Sequence, residues 1–305
     1  MNAAHSDRPT LGILLMLGFA ATGPIIDLFG KLAGETVPIL QITAARFFLQ
    51  ALILLPIACI MRYCHRPSRT EMLLHAIRGS LMLVCTYCFF AALQYMQIAE
   101  ALAIFFIEPF ILTLLGGILL KESVGWRRIL ACIIGFMGAL LVIQPKFDEV
   151  GLPALYPVGT AIGWAFYLII TRNMTRSVGG FALQTYTAIA GSLVLIPILI
   201  IADHGGFGLF DARALTNREL YLLLGVGIAG IISHFFLAFA FRYAPVTVLA
   251  PIQYLEIITA VILGFVFFHQ LPNLLTVIGV LIIVGSGLFV FFREQTLSKK
   301  QTAAP

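Results

Sequence analysis

Mostly apolar runs, each close to the length of a bilayer-spanning helix, alternate with short polar breaks along the whole chain. They lie near residues 11–30, 37–60, 74–94, 97–119 and 128–144, then 153–171, 181–202, 220–241, 245–268 and 273–292. Roughly 20 apolar residues in a helix cross the hydrocarbon core of a bilayer. The pattern therefore predicts an all-α integral membrane protein of about ten transmembrane helices. The longest break, Asp203–Glu219, is polar, contains glycine and reads as a surface loop. The first run, Leu11–Phe29, has no small-residue cleavage site followed by a soluble domain, so it reads as a retained helix and not a signal peptide.

Composition supports lipid as the solvent. With 60% hydrophobic and 11% charged residues, the chain has too few polar side chains to cover a soluble globule. Its formal charge of +5 would suit a nucleic-acid binder if the basic residues shared one face, but they sit between the apolar runs. Thirteen fall in breaks on the side of the N-terminus: Arg8, Arg62, Arg66, Arg69, Lys121, Arg127, Arg128, Arg172, Arg176, Arg242, Arg293, Lys299 and Lys300. Only Lys31, Lys146, Arg213 and Arg218 fall in the opposite breaks, while Arg46 and Arg78 lie within spans. This asymmetry implies that both termini are cytoplasmic, in a multi-pass protein of a bacterial-type inner membrane. It is a topology signal with no need of a nucleic-acid partner. The five cysteines, Cys59, Cys64, Cys85, Cys88 and Cys132, are odd in number and lie mostly in apolar runs, which argues against a disulfide framework. Cys85-x-x-Cys88 has redox-motif spacing, but without a βαβ context it reads as packing.

Residues Ala92–Leu120 align with Ala240–Phe268 at a constant offset of 148. Ala92 then meets Ala240, Tyr95 meets Tyr243, Glu108 meets Glu256 and Gly116 meets Gly264. More loosely, Leu55-Pro56-Ile57 resembles Ile196-Pro197-Ile198, and Leu17-Gly18-Phe19-Ala20 resembles Ile162-Gly163-Trp164-Ala165. Five spans per copy make the copies cross the bilayer in opposite senses. The chain thus divides into an N-terminal tail over 1–10, a first five-helix repeat over 11–145, a second over 146–292 and a C-terminal tail over 293–305. Inverted repeats supply two nearly equivalent conformations, open to one side or the other, with substrate held near the midplane.

The first repeat ends in Leu119-Leu120-Lys121-Glu122-Ser123-Val124-Gly125-Trp126-Arg127-Arg128, followed by Ala131, Gly135-Phe136-Met137-Gly138 and Pro145. This resembles the EamA-type transporters of the drug/metabolite transporter superfamily. The resemblance spans nearly the whole chain, and it departs at His269-Gln270, which stand where the first repeat has Lys121-Glu122. It implies a secondary carrier for small polar or aromatic metabolites, among them amino acids, nucleosides, S-adenosylmethionine and riboflavin.

A charged side chain at the bilayer centre costs about 2.5–3.5 kcal/mol on insertion scales, so each needs a reason. Glu108, Glu256 and Arg46 lie near mid-span. The glutamates suit proton-titrating or cation-facing groups, and Arg46 an ion-pair partner or an anchor for a substrate carboxylate. The alternative is pairing that only ties helices together. Asp27, Glu100 and Arg78 lie nearer the span ends and read as snorkelling groups. Pro109 after Glu108, Pro251 before Gln253 and Glu256, and Pro24 near Asp27 are expected helix breaks that free backbone carbonyls. Tyr87, Phe90, Phe105, Trp164, Tyr167, Gln253 and Tyr254 are candidate cavity residues, since Tyr and Trp join a flat apolar face to one polar handle. The same residue types also favour membrane interfaces and helix packing. Ser233 and His234, inside the eighth span, read as structural.

The sequence has no HExxH, GxSxG, metal-spaced Cys/His set or Walker-type loop, and no feature that asks for a metal or cofactor. The expectation is a secondary transporter moving a planar or zwitterionic metabolite, with riboflavin first and S-adenosylmethionine or an amino acid as alternatives. An intramembrane enzyme or membrane scaffold is the reading from another class. The partners expected are a small molecule and the lipid bilayer. Nothing in the pattern specifies an oligomeric state.

Overall fold

The protein is described by a computed structural model over residues 8–63, 66–96, 98–122, 125–143, 151–175, 177–204, 214–269 and 274–302. Among the described residues the secondary structure is helical throughout. The first repeat comprises α1 (Pro9–Gly34), α2 (Ile39–Ile60), α3 (Arg69–Ala92), α4 (Ile98–Phe105), α5 (Glu108–Leu119) and α6 (Trp126–Ile143). After a short 3-10 turn at Leu152–Ala154 come α7 (Leu155–Met174), α8 (Gly180–His204), α9 (Asn217–Tyr243), α10 (Val246–Gln253), α11 (Glu256–Phe268) and α12 (Leu274–Thr302). The pairs α4–α5 and α10–α11 each make one broken crossing. The predicted ten crossings are therefore present as two inverted sets of five. The last helix runs on to Thr302, into the stretch expected to be a C-terminal tail.

Local chemistry fixes several helix ends. Ser68 accepts from the Glu71 amide at 3.2 Å while Glu71 Oε2 accepts from the Ser68 amide at 2.8 Å, a capping box that starts α3. Thr216 and Glu219 do the same for α9, with the Thr216 amide donating to Glu219 Oε2 at 2.8 Å. Each box satisfies two amides that a helix start otherwise leaves without partners. The two boxes are 148 residues apart, so the internal repeat extends back beyond Ala92. At the other end of the same units, Lys121 (φ 54°) and His269 (φ 53°) both adopt the left-handed conformation just past α5 and α11.

Packing follows the inversion. Helix α1 lies along α9, and its counterpart α7 lies along α3; α2 packs on α8, and α6 on α12. The buried faces are apolar, including Met16, Phe47, Leu112, Leu168, Phe241 and Leu249. Large apolar side chains such as Leu52, Ile60, Ile118 and Phe289 point outward instead, as a lipid-facing surface requires.

One polar cluster differs from the expectation. Arg78, read as a residue that snorkels to the interface, is fully buried within α3. Its Nε donates to Thr171 Oγ1 at 3.2 Å, Nη2 to the Tyr167 hydroxyl at 3.0 Å, and Nη1 to the Leu183 carbonyl at 3.3 Å and to Thr187 Oγ1. The guanidinium also lies 4.7 Å from the Tyr167 ring centroid. The physical reason is the capping box, which starts α3 at Arg69 and so carries Arg78 more than two turns into the bundle. There it pins α3 to α7 and α8.

Candidate functional site

The two broken crossings position the site. Helix α4 ends at Phe105 and α5 restarts at Glu108; α10 ends at Gln253 and α11 restarts at Glu256. Turns at Phe106–Ile107 and Tyr254–Leu255 separate the halves, so both glutamates are the first residues of half-helices near mid-membrane. Carboxylates there complement the positive end of the helix dipole. Pro109 follows in the first turn of α5, where no intrahelical N–H is lost. Pro251 sits inside α10, before the break. Pro24, expected to interrupt the first span, does not: α1 is continuous from Pro9 to Gly34. The Thr22 hydroxyl bonds the Gly18 carbonyl at 2.8 Å just before it.

A cavity of about 80 Å³ lies between the repeats. Its charged groups are Asp27 on α1, Arg46 on α2 and Glu256 on α11. Phe19, Phe89, Phe90, Phe105 and Trp164 supply aromatic walls, and Thr86, Cys85, Thr160 and His234 supply smaller polar groups. Asp27 interacts electrostatically with both Arg46 and Glu256. Gly23 leaves the space beside the Glu256 carboxylate open: a Cβ there would stand 3.5 Å from Oε2. At this size the cavity holds a few waters or one functional group, so a whole metabolite enters only when the surrounding helices part.

Arg46 is held with defined geometry. Its Nη1 donates to Thr86 Oγ1 at 2.5 Å, and Nη2 lies 3.3 Å from His234 Nε2. His234 Nδ1 lies 2.8 Å from the Gly230 carbonyl, which can only accept. Nδ1 therefore carries the proton, and Nε2 is the acceptor for the guanidinium. A neutral imidazole thus orients Arg46, and Trp164 and Phe19 meet that ring edge-on at 5.6 and 6.4 Å. Thr86 and His234 are themselves separated by 148 residues, so Arg46 is gripped by equivalent positions of the two repeats.

Of the residues singled out in the sequence, Arg46, Glu256, Phe90, Phe105 and Trp164 line this cavity. Glu108 lies outside it, fully buried, with the Gln253 side chain as its polar neighbour. Tyr167 stacks beneath Trp164 with centroids 4.9 Å apart, one layer behind the wall. Tyr254 packs on Phe106, and half-buried Tyr87 packs against the core. The residues underrated by sequence are Asp27 and His234, together with Thr86, Thr160 and Phe19. Asp27 looked interfacial because the apolar run fades near Phe29, but α1 continues to Gly34. The side chain of Glu100 lies outside the described residues. Among the described residues no group of three His, Cys, Asp or Glu side chains is placed to hold a metal ion.

Inverted five-crossing repeats around a central polar cavity define the architecture of a membrane carrier. The chain belongs to the EamA-like transporter family, whose profile matches twice, over residues 10–144 and 152–292. It is 26% identical over 285 residues to the S-adenosylmethionine uptake transporter of Rickettsia prowazekii, covering 93% of each chain. A riboflavin transporter of Rhizobium johnstonii is 29% identical over 74% of this chain and 72% of its own. The pseudopaline exporter CntI of Pseudomonas aeruginosa is 25% identical over 90% and 93%. A solved crystal structure superposes with a TM-score of 0.72 over 97% of this chain and 98% of its own at 17% identity, which establishes a shared fold. The protein is a multi-pass membrane transporter for a small molecule, and not an enzyme.

Proposed function

We propose that the protein carries a zwitterionic metabolite with an added cationic centre and a planar ring, and that S-adenosylmethionine is the solute that fits best. The observation that carries this reading is the meeting of Asp27, Glu256 and Arg46 in one aromatic-walled cavity. Two carboxyl groups and one guanidinium let the cavity pair a cation as well as a carboxylate. A buried charge is tolerated only when paired. S-adenosylmethionine brings a sulfonium and an ammonium for the two carboxylates, a carboxylate for Arg46, and an adenine that the aromatic side chains can sandwich. Relatives over most of the chain length carry that name. Riboflavin, the first expectation from sequence, is the second reading: the aromatic walls and two relatives' names favour it, but its uncharged ring system brings no cation to Asp27 and Glu256. The basic bias of the breaks supports a topology with both termini on the cytoplasmic side of a bacterial inner membrane.

The test is uptake of radiolabelled S-adenosylmethionine, riboflavin and methionine into proteoliposomes, with wild type and Asp27→Asn compared. Saturable uptake of S-adenosylmethionine, reduced in the variant and not shared by riboflavin, is the expected result. Uptake of riboflavin alone, indifferent to Asp27→Asn, would overturn the substrate reading in favour of the second.

A further inference from the structure

The end of the bundle where α1 begins and α12 ends, here the terminal face, is closed by a charged junction that touches nothing in the cavity. Glu122, just past α5, accepts from the first two amides of α10: Val246 N to Oε1 at 3.2 Å and Thr247 N to Oε2 at 3.1 Å. Arg172, at the end of α7, places its Nε 3.5 Å from Glu122 Oε1 and donates through Nη1 to the Phe241 carbonyl of α9 at 2.5 Å. Both side chains are almost wholly buried. Beside them the Arg8 amide donates to the Tyr243 carbonyl at 2.7 Å, and α1 meets the α9–α10 junction so closely that a Cβ on Gly12 would lie 2.4 Å from that of Ala244. Elements of both repeats are thus tied together at this face, and the cavity lies toward the other one, with Asp27 in the later half of α1 and Arg46 in the first half of α2.

The opposite face has the same turn without the same charges. Lys121 and His269 share their left-handed backbone, yet the next residue is Glu122 in one repeat and Gln270 in the other. The alignment that pairs Leu17–Ala20 with Ile162–Ala165 pairs Arg172 with Asp27. Where the terminal face has a carboxylate and a guanidinium, the sequence gives Gln270, which lies outside the described residues, and Asp27, which lines the cavity: an amide and a carboxylate cannot form an ion pair. An inverted repeat with equal gates would favour neither conformation.

From this we infer that Glu122 and Arg172 form a one-sided latch that holds the carrier closed at the terminal face, so that its resting conformation exposes the cavity to the far face. The inference rests on the carrier reading and on alternating access, but not on which solute is carried. Loss of a charge-assisted bond in a buried site is enough to change the ratio of two conformations about tenfold.

Cys85 lines the cavity and supplies the reporter, while Cys132, fully buried elsewhere, reports unfolding. In a background lacking Cys59, Cys64 and Cys88, a membrane-impermeant thiol reagent is applied separately to each face of oriented vesicles. Wild type is expected to label at Cys85 from the far face. Glu122→Gln is expected to raise labelling from the terminal face about tenfold, with Cys132 still protected. Unchanged labelling from the terminal face in the folded variant would overturn the latch. Should that variant expose Cys132, Arg172→Lys, which retains the charge but withdraws the bond to Phe241, is read by the same criterion. Labelling requires no substrate, so a wrong solute assignment leaves its outcome intact.

Discussion

Tyr254 donates its hydroxyl hydrogen to the carbonyl of Phe106 at 3.2 Å, and the two rings meet edge to face at 5.3 Å. These residues are 148 positions apart, the offset that relates the two repeats. Equivalent positions of two inverted copies can touch only beside the axis that relates them, so this contact marks the centre of the molecule. The glutamates two residues further on flank it unequally. Glu256 borders the cavity, whereas Glu108 is sealed behind it beside Gln253. Gln253 in turn corresponds to Phe105, which faces the cavity. The inequality is what the proposed alternating access requires: equivalent residues occupy different surroundings and would exchange them as the carrier turns over.

Removing the Tyr254 hydroxyl separates the polar part of this contact from the packing. Tyr254→Phe should fold, retain the ring contact and lose about 0.5–1.5 kcal/mol, the usual net value of one such bond. Thermal unfolding in detergent, followed by near-ultraviolet circular dichroism, measures this loss. A variant as stable as wild type would show that the Phe106 carbonyl finds another donor.

Arg46 holds its position through Thr86 and His234, and it lines the cavity. Arg46→Lys keeps the charge but cannot reproduce the two-armed grip, because an ammonium is a point charge. The expected outcome is a KM for S-adenosylmethionine raised about tenfold, the cost of one charge-assisted hydrogen bond to a substrate carboxylate. Decarboxylated S-adenosylmethionine, which lacks that carboxylate, should show no such penalty. Equal effects on both solutes would remove Arg46 from substrate binding and leave it a structural role.

Much of this architecture is legible in the amino-acid sequence, because a bilayer imposes length and apolarity on every crossing. The ten runs and the Glu108–Glu256 correspondence follow from that constraint. The breaks at Phe106–Ile107 and Tyr254–Leu255 left no such trace, since both sides of each break are equally apolar and the prolines that drew notice lie beside the breaks. Pro24 gives the converse case: a membrane helix can absorb a proline, and α1 continues through it. Hydropathy fades near Asp27 and Arg78, which makes them look like span ends, while the helices are longer than the apolar runs. The Ser68–Glu71 and Thr216–Glu219 boxes were the available signal for α3 and α9, and each would have moved a helix start by several residues.

Arg78 gives a prediction that bears on the cavity wall. Its guanidinium orders Tyr167, and Tyr167 stacks on Trp164. Arg78→Gln leaves Thr171, Thr187 and Tyr167 short of donors in a buried site and should destabilise the protein by about 2–3 kcal/mol. The chain has two tryptophans, so Trp126→Phe makes Trp164 the sole indole fluorophore. In that background Arg78→Gln should shift the Trp164 emission maximum and lower the response to substrate. Lowered stability with an unchanged Trp164 spectrum would confine Arg78 to holding α3 against α7 and α8.

The contact of α2 with α8 depends on a missing side chain. At Gly191 an added Cβ would lie 2.3 Å from the Phe47 ring, and Phe47 is almost wholly buried, with no free direction in which to withdraw. At Gly159, on an exposed face of α7, an added Cβ meets nothing within 4 Å. Both glycines are helical, and alanine relieves the backbone entropy that glycine loses on ordering, so intrinsic propensity favours the substitution at both sites. Packing decides between them. Gly191→Ala should destabilise by about 1–3 kcal/mol through overpacking. Gly159→Ala should be neutral or stabilising by about 0.4–1 kcal/mol. Unfolding midpoints of the two variants, measured side by side in the same detergent, test the difference. If both proved stabilising, α2 and α8 would have to pack less closely than described, and the close approach of the two repeats along this pair would have to be withdrawn.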